Sequence, residues 1–156
     1  MQDNKFVDPR LQAREDMFQK LHLSTFETMG YARSIQDYVE KTGQDIDVDN
    51  TEYQQLLRDY QVTRNLAPIE QSQLEPLCTR TDNVIKTSSN AYANSAQLCA
   101  AAISALNHWR ILSEIPIDLR EQSEVTQTLR DKFHHHMRTW EYILEDLSGT
   151  PNEFDS

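Results

Sequence analysis

Apolar side chains recur three and four positions apart along most of this chain, the spacing that sets them on one face of an α-helix. Near the amino terminus Leu11, Met17, Phe18, Leu21, Thr25, Met29, Ala32, Ile35 and Val39 form one such stripe. Asp8-Pro9 supplies an acidic cap with proline at the first helical position, and Gly43 after Lys41-Thr42 supplies a stop. Leu23 and Phe26 fall off this stripe, and Tyr31 and Tyr38 lie on its flank.

A second helix is capped by Asp49 or Asn50 and carries Tyr53, Leu56, Leu57, Tyr60 and Arg64 on one side, fraying by Leu66-Ala67-Pro68. The pattern then becomes irregular, with room for a short helix from Ser72 to Cys78 interrupted at Pro76. A third helix is expected from Thr81-Asp82 toward Leu112, rich in alanine and serine. Ile85, Tyr92, Ala96, Cys99, Ala102, Ile103 and Leu106 make its buried side, with Leu98 and Trp109 at the edge. Its reverse face, Asn90, Asn94, Gln97, Ala101, Ser104 and His108, is neutral and smooth. Such a face either lies against a partner or marks a crowded central helix.

Ile115-Pro116 breaks the run, and Asp118 with Glu121 forms a capping box for a fourth helix. Val125, Leu129, Phe133, His136, Met137, Trp140, Ile143, Leu144 and Leu147 then continue as a stripe to Gly149. The predicted fold is therefore all-α, a bundle of four main helices with possible room for an extra short one. It spans residues 1–149 as one domain, followed by a short acidic tail at 150–156.

Composition sharpens this picture. Three glycines and five prolines in 156 residues suit long helices better than the many turns of a β-sandwich. The formal charge of −10 opposes binding to a phosphate backbone, and no run of Lys and Arg offsets it. Nucleic acid is thus not an expected partner. No stretch approaches 18 apolar residues, so no membrane partner is expected. The first residues, MQDNKFVDPR, lack the apolar core of a secretory signal, which points to the cytoplasm. Cys78 and Cys99 read as two buried thiols more simply than as one disulfide.

Candidate chemistry centres on FHHHMRTW, residues 133–140. Consecutive helical residues are about 100° apart, so His134, His135 and His136 diverge, and only His136 falls in the apolar stripe. Neither H-x-x-x-H nor E-x-x-H occurs, and Arg138 sits beside the one helical pair, Asp131 with His135. Asp45, Asp47 and Asp49 imitate the opening of a calcium loop, but Asn50 and Leu56 occupy the places of its glycine and glutamate. No nucleophile elbow or phosphate loop is present. The expectation is no enzyme, no cofactor and no metal.

What remains is surface. Seven acids, Asp37, Glu40, Asp45, Asp47, Asp49, Glu52 and Asp59, face two bases, Lys41 and Arg58, across one segment. After Arg138 the charged side chains are all acidic. Such fields steer a basic protein partner. The expected partner-binding residues are Asp45, Asp47, Asp49, Leu23, Phe26, Tyr142, Arg138 and His135. The function they imply is a protein-binding module, inhibitor or immunity-like, or an adaptor. The alternative is a structural, self-assembling homodimer using the smooth face of the third helix, and after it a metal- or thiol-dependent enzyme.

Overall fold

In the computed structural model, residues 9–87, 92–114 and 124–148 are described. They form five helices: α1 (Pro9–Thr42), α2 (Thr51–Leu66), α3 (Leu74–Thr87), α4 (Tyr92–Glu114) and α5 (Glu124–Ser148). The fold is an all-α helical bundle. No described helix is long and apolar enough to cross a membrane.

Local chemistry accounts for most helix ends. Proline opens α1, where its missing N–H costs nothing. Gly43 closes it at φ 69°, its N–H donating to the Val39 carbonyl at 2.8 Å. The side chain of Asn50 accepts from the Tyr53 N–H at 3.0 Å and caps α2. The Asp8 cap, the Asp118–Glu121 box and the acidic tail lie outside the described residues.

The expected short helix and the start of the expected third helix are one element, α3. Ser72 Oγ accepts from the Leu74 N–H at 3.1 Å, and the Glu75 carboxylate accepts from the Gln71 N–H at 3.1 Å. Pro76 therefore sits in the first turn, where the backbone N–H has no helical acceptor, and it does not interrupt the helix. The expected long third helix is described as two helices, α3 ending at Thr87 and α4 beginning at Tyr92.

The central element is α4, against which each of the other four packs. Ala96, Cys99, Ala102, Ile103 and Leu106 are buried as their spacing predicts, and Leu98, expected at an edge, is fully buried. Ala101, Ser104 and His108 on the neutral face are buried too. On that face Gln97 is half-buried, Asn94 is exposed and Asn90 lies outside the described residues, whereas the part from Ala101 to His108 is covered within the bundle. Alanine and serine permit this, because small side chains let helices approach closely on several sides at once.

Polar side chains tie the other helices together. Gln97 Nε2 donates to the Ala32 carbonyl at 2.7 Å, joining α4 to α1. Trp140 is fully buried, and its indole N–H donates at 2.8 Å to Thr81 Oγ1, which itself donates to the Leu77 carbonyl at 2.7 Å. Tyr60 donates to Asp82 at 2.7 Å, and Asp82 pairs with Arg64 at 2.8 Å, linking α2 to α3. Trp109 closes the α2–α3 connection by donating to the Pro68 carbonyl at 2.8 Å.

Candidate functional site

The three acids of the α1–α2 loop separate into different roles. Asp45 accepts from the N–H groups of Tyr92 and Ala93, both at 2.8 Å, and so caps α4 from 47 residues away. Its Oδ1 also accepts from the Ile46 N–H at 2.8 Å, while Ile46 is buried in the core. A carboxylate at a helix amino terminus meets both unsatisfied donors and the positive end of the dipole. All three acids are exposed, but Asp45 is engaged in these hydrogen bonds within the fold. Exposed Val48 lies between Asp47 and Asp49, and exposed Tyr38 lies one turn before the end of α1. Asp37 and Glu40 are exposed on the same last turns.

The other sequence-predicted residues fall on two helices. Leu23 and Phe26 are 67% and 72% exposed on α1, and Tyr142 is 74% exposed on α5. His135, Arg138 and Tyr142 recur at helical spacing along the outer side of α5, the first two also exposed. Phe26 also lines a concave feature. The acids of the α1–α2 loop and the α5 stripe do not form one site.

That concave feature is a cleft of about 230 Å³ between α1 and α5. Thr25, Phe26, Met29 and Arg33 form one wall, Lys132 and His136 the other, and His108 of α4 the floor. Helical spacing puts the α1 residues on the side of that helix turned toward α5. Met29, expected in the buried stripe, is 40% exposed because it borders this opening. The Thr25 hydroxyl is shielded from solvent yet has no hydrogen-bond partner among the described residues.

Two of the described histidines converge here. The rings of His108 and His136 lie 4.9 Å apart between centroids, and that of His135 lies 5.3 Å from His136 at an edge-on angle. The Nδ1 of His108 is 2.7 Å from the Ser104 carbonyl. A carbonyl only accepts, so Nδ1 carries the proton and the bond sets the tautomer. Burial holds the His136 imidazole down at about 4, with His108, His135 and Lys132 adding to the effect. At neutral pH it is uncharged, and its place in the stripe costs no buried charge. Among the described residues no group of three or more His, Cys, Asp or Glu side chains is placed to hold a metal ion.

Both cysteines are buried and free. Burial pushes the thiols up, Cys78 to about 11 and Cys99 to about 12. They remain protonated at neutral pH, the state of least nucleophilicity.

Sequence reasoning found Phe26 as an outlier and His136 as a stripe residue, but not the cleft. Arg33 and Lys132 carry no signal beyond being cations on a helix. The pairing of His108 with His136 follows only from how α4 and α5 dock. Comparison with models of known families, with curated proteins and with solved structures gives no match.

Proposed function

We propose that this chain is a non-enzymatic protein-binding module whose acidic end, formed by the close of α1 and the α1–α2 loop, engages a basic partner protein. The observation that carries this reading is the interleaving of exposed Tyr38 and Val48 with exposed Asp37, Glu40, Asp47 and Asp49. Aromatic and aliphatic side chains supply contact area at an interface, and a surrounding acidic field attracts the partner and fixes its orientation. The net charge of −10 extends that field beyond the contact itself. Blocking of a basic enzyme or toxin, and escorting of a basic segment as an adaptor, both use this chemistry.

Asp47 and Asp49 are the residues to test, because Asp45 is a cap whose loss perturbs the fold. A photo-crosslinking residue at position 48 retrieves the partner from the native host, and native mass spectrometry gives its stoichiometry. Association with the purified partner is then compared for the wild type and the Asp47→Lys, Asp49→Lys double variant. Association slowed about ten-fold at low salt, and less so at high salt, supports the reading. An association rate indifferent to both the reversal and the salt overturns it.

A further inference from the structure

The cleft between α1 and α5 reverses the sign of an otherwise acidic chain. Its charged lining consists of Arg33 and Lys132, and none of its described lining residues is acidic. Neither cation is ion-paired among the described residues. Between them stand two imidazoles, His108 at the floor and His136 on the wall. Cations set in a recess against low-dielectric walls focus a positive potential that selects an anion. Thr25, whose shielded hydroxyl has no partner among the described residues, lines the same cleft and supplies a further donor. Phe26 and Met29 form the mouth and leave large apolar surface in water.

From this geometry we infer that the cleft binds a small organic anion, a carboxylate carrying a short apolar chain. The carboxylate lies between Lys132, Arg33 and the His108–His136 pair, and the chain runs out along Met29 and Phe26. The volume of about 230 Å³ is below the roughly 300–1,000 Å³ of common ligand pockets, which suits a short chain. A carboxylate carrying an apolar chain fits better than a phosphate because most of the exposed lining of the cleft is apolar. This site is separate from the acidic end of the bundle and stands or falls independently of it.

Binding is linked to protons through His136. The groups that face it are Arg33 from α1, His108 from α4, and Lys132 and His135 on α5. Burial first, and then His108, His135 and Lys132, keep His136 neutral. A bound carboxylate offsets them and favours the imidazolium, so affinity rises as the pH falls from 7 toward 5.

The test is titration of the full chain with hexanoate, and in parallel with inorganic phosphate, read by two-dimensional NMR of the histidine side chains. Hexanoate is expected to move the His108 and His136 resonances saturably, more tightly at pH 5.5 than at pH 7. Lys132→Gln and Arg33→Gln each weaken it about ten-fold, the loss of one charge-assisted hydrogen bond. Lys132→Arg retains binding. Because Arg33 is exposed and Lys132 half-buried, and neither is ion-paired among the described residues, circular dichroism and the melting temperature stay unchanged in these variants. Phe26→Ser weakens hexanoate and leaves phosphate as it was. Shifts that do not saturate, or that spread alike over all five histidines, overturn the site. Phosphate binding as tightly as hexanoate, with no effect of Phe26→Ser, overturns the carboxylate with an apolar chain. Binding unaffected by Lys132→Gln overturns the assignment of its head group.

Discussion

α4 and α1 are both long helices with apolar residues in register, yet they have opposite surroundings. α4 is covered on nearly every side and fills its contacts with alanine, serine and leucine. α1 buries one stripe, Leu21, Thr28, Ala32 and Ile35, and leaves Leu23, Phe26, Met29 and Tyr38 in water. Amphipathic patterning barely separates the two. Burial does separate them, because a helix that is apolar or small all round is the one that belongs in the centre. The stability of this fold is therefore concentrated around α4, and the surface available to partners is concentrated on α1 and its continuation into the α1–α2 loop.

The largest effect that separates the two helices is a deletion in the core. Leu106→Ala removes a fully buried side chain of α4 and should cost about 2–5 kcal/mol, whereas Leu23→Ala on α1 should stay within about 0.5 kcal/mol. Denaturant unfolding of the two variants measures both. Equal losses would mean that Leu23 packs against something within the fold, and the contrast would fail.

Crowding gives the next largest effect. Ala102 is fully buried, so Ala102→Leu must displace neighbours and should destabilise by about 1–3 kcal/mol, although leucine is a good helix former. Gly30 on α1 is exposed with open space around its Cβ position, and Gly30→Ala should stabilise by about 0.4–1 kcal/mol. Opposite signs for two enlargements, read as shifts in melting temperature, are the expected result.

The acidic loop sharpens the comparison further. Asp45→Ala removes the cap of α4 and should cost about 0.5–2 kcal/mol, while Asp47→Ala should be nearly neutral. Hydrogen exchange at the first turn of α4 should rise in the first variant and not in the second.

The smallest effect is a pH dependence at the α4–α5 junction. His136 is held at about 4 in the fold, below its ordinary 6.5. Its contribution is fully present above the unfolded value and is lost as the pH falls through the folded one, since only the unfolded chain takes up the proton. Between pH 7 and pH 5 the loss should be about 1 kcal/mol after allowance for solvent screening at a half-buried ring. His136→Gln should remove that component, leaving a flatter profile in paired unfolding titrations.

Helix boundaries were legible wherever the signal is local. Pro9, Gly43 and Asn50 act through their own backbone restraints or through donors three residues away, and each stands where its chemistry demands. Pro76 was misread because proline is forbidden inside a helix and welcome in its first turn. Only the position of the true start, set by Ser72, distinguishes the two. The stripe of α5 was legible for the same reason as the helices themselves. Leu129, Phe133, Trp140 and Leu144 are buried as their spacing requires.

The amino-acid order alone determined an all-α bundle, its main helical stripes, the buried thiols and the divergence of the three consecutive histidines. Each of these depends on the 3.6-residue period or on burial of apolar surface, properties a helix carries with it. Only the tertiary structure decided that Ala101, Ser104 and His108 of α4 are covered, that Asp45 caps a helix 47 residues away, and that His108 meets His136 beside Arg33 and Lys132. Those outcomes depend on how whole helices dock, and residues far apart in the chain share no local pattern that records the meeting.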